Sequence, residues 1–135
     1  DGARPGLLEL LPAAGRKPLS ESFFHDAVHL NNRFFVASDN ILNLGPKTEC
    51  ALAEYAGGDS DFGVLLVVRY PDAGKAAEAA ALFRKSYVPE ADSDGAALTE
   101  NKNWTMLKIK DALLAVVFDA SSKEYAGRLA AAAFR

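Results

Sequence analysis

Two different hydrophobic periods follow one another in the middle of the chain. An almost continuous apolar run, Phe62 to Tyr70, comes after a strand-like segment from Thr48 to Ala56 and is typical of a strand buried on both faces. After Pro71 the apolar residues recur at helical spacing, and Asp72 is a good N-cap for that helix. The pattern therefore predicts two strands and then a helix. The apolar stripe of this helix consists of Ala76, Ala80, Phe83 and Tyr87.

The same order of elements returns further along the chain. Trp104 to Lys110 alternates between two strand faces, Asp111 predicts a tight turn, and Leu113 to Phe118 is a second buried strand. Ser121 with Glu124 three residues later forms a capping box, which predicts the start of a second helix. The core-facing residues of that helix are Ala126, Leu129, Ala130 and Ala133.

The two units agree in register as well as in order. Val67-Val68 corresponds to Val116-Val117, and the cap Asp72 corresponds to Ser121, both at an offset of 49 residues. Two registers with a common offset indicate an internal repeat. Convergence is the alternative, because any two buried strands followed by helices share these features.

These elements predict an α+β fold in a single domain. Two tandem β-β-α units, residues 48–89 and 97–135, form an antiparallel sheet of about four strands with both helices on one face. Residues 1–47 form an irregular N-terminal segment, in which Ser22 to Val36 fits either a strand or a helix. Since the buried strands are apolar at every position, either this segment or an absent neighbouring domain must cover the other face of the sheet.

Composition and charge exclude several classes of partner. The chain has 135 residues and a net charge of −3, with 15 basic and 18 acidic residues spread along it. No basic stripe marks a nucleic-acid site, and no polybasic patch marks a membrane surface. Apolar runs are far shorter than the ~20 residues of a membrane-spanning helix, so we expect no membrane insertion. The absence of a signal-peptide pattern, with Asp1 in place of Met, predicts either a cytosolic protein or a processed piece of a longer one.

One cluster of residues resembles a metal site. His25 and His29 share a face in a strand and in a helix alike, and Asp26 could orient an imidazole or bind the metal itself. An HExxH site has a glutamate where Asp26 stands, and the chain has no third histidine. Two partly exposed histidines on an aromatic-rich surface are the alternative interpretation. We predict no catalytic residue and no cofactor.

Two other features have structural interpretations that we prefer. Cys50 is the only cysteine, so it cannot form an intramolecular disulfide, and inside a strand it is expected to be a small buried apolar residue and not a nucleophile. The clustered aromatic residues could stack on a ligand, although such residues more often fill a core. They are Phe23, Phe24, Phe34, Phe35 and Trp104.

Several short segments along the chain form a recognisable set. They are Ser22-Phe23-Phe24-His25, Leu30-Asn31, Asn40-Ile41-Leu42-Asn43-Leu44, Thr48-Glu49, Leu52-Ala53-Glu54-Tyr55, Arg69-Tyr70-Pro71 and Asp119-Ala120-Ser121. Through these segments the chain resembles, from Leu7 to its end, the C-terminal half of an uncharacterised bacterial family of exported, two-part proteins, classified only as a domain of unknown function. The resemblance implies export to the periplasm or beyond and an N-terminal partner domain. It implies no activity, cofactor or catalytic residue.

The leading functional hypothesis is a non-enzymatic binding or interaction domain of a bacterial cell-envelope protein. It follows from a well-specified scaffold without a complete catalytic set. The alternatives are a metal-binding module or metal-dependent hydrolase that uses His25, Asp26 and His29, and a structural half that packs against its partner domain.

Overall fold

The computed structural model describes residues 11, 15–17, 21–26, 30–31, 40–45, 47–57, 61–92, 95–99 and 102–134. They form an α+β fold, as the sequence predicts, with one antiparallel sheet and two helices. The strands are β1 (Ser22–Phe24), β2 (Glu49–Gly57), β3 (Asp61–Arg69), β4 (Ala96–Leu98), β5 (Trp104–Lys110) and β6 (Leu113–Ala120). The helices are α1 (Ala73–Tyr87) and α2 (Lys123–Ala132).

Within the described residues the sheet has six strands, where the sequence predicted about four. Their order is β1-β2-β3-β6-β5-β4, and every neighbouring pair is antiparallel. The two apolar runs, β3 and β6, lie side by side at the centre, which explains why they are apolar at successive positions. The additional strands β1 and β4 lie at the two edges and contain three residues each.

The two helices lie on opposite faces of the sheet, so the prediction that they share one face is wrong. Because side chains alternate along a strand, Leu66 and Val68 of β3 belong to one hydrophobic core and Leu65 and Val67 to another. The α1 core contains Ala76, Ala79 and Phe83 of α1, together with Phe24, Leu30, Leu42 and Leu44 of the N-terminal segment. The α2 core contains Leu11 and, from α2, Tyr125, Ala126, Leu129 and Ala130.

Elements of this chain pack on each face of the sheet. Leu114, Val116 and Phe118 face the α1 core, while Ala115 and Val117 face the α2 core, and all five side chains are fully buried. The sequence left open whether the N-terminal segment or a separate domain covers the second face. In the structure α2 packs on that face, together with Leu11 of the N-terminal segment.

A β-bulge near the end of β6 explains why α2 is on the second face. Met106 pairs with Val117, but Trp104, two residues earlier on β5, pairs with Ala120, three residues later on β6. The extra residue is accommodated at Asp119, whose φ is 50°. One inserted residue reverses the alternation of side chains, so Phe118 points into the α1 core and Ala120 into the α2 core. The chain therefore enters α2 from the opposite side of the sheet.

The internal repeat does not hold in the form predicted. The N-cap of α2 is Ser122, whose side chain accepts a hydrogen bond from the N–H of Tyr125, whereas Asp72 caps α1 as predicted. The caps are thus 50 residues apart and not 49. An offset of 49 also equates Val67 with Val116, which face different cores. The two hairpins share local chemistry, but their helices are on different sides, so the two β-β-α units do not superimpose.

Ser121 has a different role from the cap assigned to it. Its hydroxyl accepts a hydrogen bond from the N–H of Phe62 at 3.1 Å and donates one to Asp61 Oδ1 at 3.2 Å. These bonds connect the end of β6 to the start of β3. Of the described helices, none is long and apolar enough to cross a membrane.

Candidate functional site

The segment that carries His25 begins as a strand and not as a helix. Ser22–Phe24 pairs with β2, with Phe24 opposite Cys50. The chain turns at His25 and Asp26, and the Asp26 carbonyl accepts a hydrogen bond from the N–H of Leu30. His25 and Asp26 therefore lie where the edge strand ends. His29, the other predicted ligand, lies outside the described residues.

His25 is exposed, and its ring is held in one orientation. Nδ1 lies 2.6 Å from the carbonyl oxygen of Thr48, and the ring contacts Phe23 edge-on with 5.3 Å between centroids. Because a carbonyl oxygen can only accept, Nδ1 carries the proton and donates it. In the neutral ring, Nε2 is then the nitrogen with a free lone pair. This is the tautomer that metal-bound histidines commonly adopt.

The remaining ligands of the predicted metal site are not brought together in the part of the chain that the structure describes. Among those residues no group of three histidine, cysteine, aspartate or glutamate side chains is close enough to hold a metal ion. The negative charge of Asp26 is close enough to Cys50 to contribute to the raised pKa of its thiol. The metal-site hypothesis therefore depends on His29 and stays a prediction.

Cys50 is fully buried in β2 and faces the α1 core, which confirms its prediction as a small apolar residue. The pKa of its thiol is raised to about 12. Burial is the largest cause, and the nearby negative charges of Asp26 and Glu49 contribute in the same direction. The group is protonated at neutral pH and is not a thiolate nucleophile.

The three aromatic residues of this set that the structure describes do not lie on one face of the sheet. Phe24 is buried in the α1 core, whereas Phe23 and Trp104 pack against the α2 core on the other side of the sheet. Phe34 and Phe35 lie outside the described residues. The preferred interpretation, that these aromatic residues fill a core, is confirmed for the three that are described.

The most site-like feature is a cavity that the sequence analysis did not identify. It has a volume of about 320 Å³ and lies between the loop that leads into β2 and the first turn of α1. A volume of this size is at the lower end of the range for small-molecule sites. Most of its wall is apolar. The described residues that line it are Asn43, Gly45, Lys47, Thr48, Tyr70, Pro71 and Lys75.

The loop side of the cavity is fixed by reciprocal hydrogen bonds. Asn40 donates to the carbonyl of Leu44 at 2.8 Å, and its Oδ1 accepts from the N–H of Leu44 at 2.9 Å. Thr48 Oγ1 accepts from the N–H of Gly45 at 2.8 Å. Its own proton faces two carbonyl oxygens, those of Gly45 at 2.8 Å and His25 at 3.0 Å. The conformation of the loop is therefore fixed by the protein's own hydrogen bonds and does not depend on a ligand.

Tyr70 connects this loop to the sheet. Its ring is buried, and its hydroxyl donates to the carbonyl of Leu42 at 2.6 Å. Burial is the main cause that raises the pKa of Tyr70 well above its ordinary value, so the phenol remains a donor. Leu42 and Leu44 are themselves buried in the α1 core, so the loop is held by their side chains as well as by this hydrogen bond.

The hydroxyls of Tyr70 and Thr48 are occupied within the protein, so the cavity offers a ligand few polar groups. The two lysines differ in this respect: Lys47 and Lys75 are both exposed and line the cavity at its rim. No carboxylate, imidazole or thiol belongs to the described lining residues. The arrangement can enclose an apolar body and place positive charge beside it, but it offers no general base.

A second cavity of about 350 Å³ lies beside α1 and β5. It is more open, and the guanidinium of Arg84 at its edge already donates to the carbonyls of Ala91 and Asp92, both at 2.8 Å. This guanidinium is thus already hydrogen-bonded to the loop after α1. This makes it the weaker candidate.

The sequence matches no model of a known protein family, and no curated protein or solved structure is significantly similar to the chain. The geometry of the cavity is therefore the main indication of function.

Proposed function

We propose that this chain is a non-enzymatic binding domain, and that it holds a small, mainly apolar ligand in the cavity between residues 43–48 and 70–75. The observation that carries the proposal is the cavity itself, whose wall is apolar and whose loop is fixed by its own hydrogen bonds. A wall that is already ordered binds with less loss of conformational entropy than a mobile one.

The chemistry of the lining residues supports binding and not turnover. Catalysis by proton transfer needs an acid or base near the reacting atoms, and the polar side chains of the described lining are two engaged hydroxyls, the amide of Asn43 and two exposed lysines. Cys50, the nearby candidate nucleophile, is buried and protonated.

The proposed setting is the bacterial cell envelope, which is supported by the resemblance of segments such as Asn40–Leu44 to an exported family. The partner domain implied by that resemblance remains part of the proposal. Because both sheet faces are already covered, we assign no docking surface to it.

The cavity can be tested with N-phenyl-1-naphthylamine, a neutral dye whose fluorescence rises in apolar sites. We expect saturable binding, with the largest shifts in ¹⁵N NMR spectra at Gly45, Thr48 and Tyr70. Gly45→Trp should weaken binding at least about ten-fold, because its ring would occupy a cavity of this size. Gly45→Ala is the matched control and should retain binding, since an added Cβ there meets no atom within 4 Å.

Two outcomes would contradict the proposal. One is the absence of saturable dye binding to the folded protein. The other is a set of NMR shifts that lies elsewhere and is unaffected by Gly45→Trp. Far-UV circular dichroism of each variant establishes that the fold is retained.

A metal-binding module remains a second candidate because the Nδ1 bond of His25 leaves Nε2 available as a ligand. We expect that, if this candidate is correct, the purified protein retains Zn²⁺ after dialysis at a ratio near one, and that His25→Ala and His29→Ala each abolish retention. Elemental analysis measures this directly. Metal-free wild-type protein that also fails to bind added Zn²⁺ would eliminate this candidate.

A further inference from the structure

We infer that the ligand is an amphipathic anion: an apolar body that fills the cavity and carries one acidic group, such as a carboxylate, which meets Lys47 and Lys75. This inference rests on the proposed function and adds the chemical class of the ligand. It follows from the unequal distribution of polar groups around the cavity.

The hydroxyl groups inside the cavity are already hydrogen-bonded within the protein. The hydroxyl of Tyr70 donates a hydrogen bond to the carbonyl of Leu42. The hydroxyl of Thr48 accepts one from the N–H of Gly45 and donates one to the Gly45 carbonyl. A ligand rich in hydroxyls or amides would lose its bonds to water and gain few from the protein, which costs free energy. The part of the ligand that lies inside is therefore apolar.

Positive charge is concentrated at the rim. Within the described part of the chain, Lys47 has no acidic partner. Lys75 has only a loose contact with Glu78, at 3.8 Å, and both side chains are more than half exposed, at 60% and 65%. An exposed pair of this kind is weak and can be exchanged for another anion.

A carboxylate also stands next to the lining residue Pro71. Asp72 accepts a hydrogen bond from the backbone N–H of Lys75 at 2.8 Å, as the cap of α1, and does not belong to the described lining. The described lining thus contains two lysines and no carboxylate, which favours an anion at that position.

A pair of dyes with a common skeleton tests this directly. 8-Anilinonaphthalene-1-sulfonate carries a sulfonate on the skeleton of N-phenyl-1-naphthylamine, which is neutral. We expect the anionic dye to bind about ten-fold more tightly than the neutral one at low salt, and the difference to shrink as salt is added. Fluorescence titration of both dyes on the intact chain gives the two dissociation constants.

Removal of the two lysine charges is the second part of the test. Lys47→Met with Lys75→Met should remove most of the advantage of the sulfonate, which is measured as the ratio of the two dissociation constants. Lys85→Met is the matched control, because Lys85 is exposed near the end of α1 and does not line the cavity. It should change neither dissociation constant.

The outcomes separate the two proposals. If the neutral dye binds in the cavity but the anionic dye binds no more tightly, or if the double variant does not alter their ratio, the inference about the anion is wrong and the binding function stands. If neither dye binds to the cavity, the binding function itself is wrong.

Discussion

Phe83→Ala is expected to lower the free energy of unfolding by about 3–5 kcal/mol, as is typical when a buried aromatic residue is truncated. Phe83 is fully buried and lies in a cluster of three rings between α1 and β6. Its ring is stacked on Tyr87 with 5.0 Å between centroids and meets Phe118 edge-on at 5.9 Å.

The effect is large because no other residue of this size in α1 is fully buried. The other fully buried residues of α1 are Ala76 and Ala79, which allow the helix to lie close to the sheet but bury little area each. Removal of the ring leaves a void under the helix, and the loss amounts to a substantial fraction of the ~5–15 kcal/mol that typically stabilises a domain.

Urea denaturation measures this, with far-UV circular dichroism and the fluorescence of the single tryptophan, Trp104, as probes. Phe62→Ala is the matched control, since Phe62 is 43% exposed and its loss should cost about 0.5 kcal/mol or less. Phe83→Leu should lie between the two and gives a value if the alanine variant does not fold. Equal effects at positions 83 and 62 would contradict the packing described for α1.

Gly95→Ala is expected to destabilise the fold by about 2–4 kcal/mol, through backbone strain combined with a steric clash. Gly95 has a φ of 78°, a conformation that residues with a Cβ rarely adopt. A Cβ at this position would also collide with the backbone oxygen of Leu107.

A backbone shift that would relieve the clash costs free energy, because the same backbone is held by hydrogen bonds. The N–H of Gly95 donates to Asp92 at 2.9 Å, and its carbonyl accepts from the N–H of Leu107 at 3.0 Å. A shift of the backbone would weaken the contact between the turn before β4 and strand β5. We therefore expect the loss of stability to appear together with reduced protection of the Leu107 amide in hydrogen exchange.

Gly45→Ala is the control for Gly95→Ala. No atom lies within 4 Å of an added Cβ at Gly45, so the change should alter stability by about 0.5 kcal/mol or less. Thermal unfolding of the two variants beside the wild type provides the comparison. Similar midpoints for both variants would show that the turn before β4 is not constrained in this way.

The local elements of the second half of the chain could be predicted because their signals are local. The apolar run in β3, the cap at Asp72 and the turn at Asp111 each depend on a few neighbouring residues, and all three are found in the structure. β4 was missed, and β1 was left open between a strand and a helix, because three residues are too few to show a period of two. Their pairing with β2 and β5 defines them as strands.

The cavity could not be predicted for a related reason. Its described lining residues lie in two short segments, one with Gly45 and Thr48 and one with Tyr70 and Lys75, which are separated in sequence by a whole hairpin. No short motif contains Thr48, Tyr70 and Lys75 together. The resemblance to an exported family does cover Asn40–Leu44 and Arg69–Pro71, but it gave no indication that they surround one space.

Hydrophobic period and capping chemistry depend on near neighbours, so they were sufficient to predict the class of the fold, the two central strands and the two helices. The number of strands and the side of the sheet on which each helix lies depend on contacts between residues that are distant in the chain. A single extra residue at Asp119 reverses which face Ala120 occupies and so places α2 opposite α1. That reversal is a matter of register between strands, and register is fixed only when β5 and β6 pair.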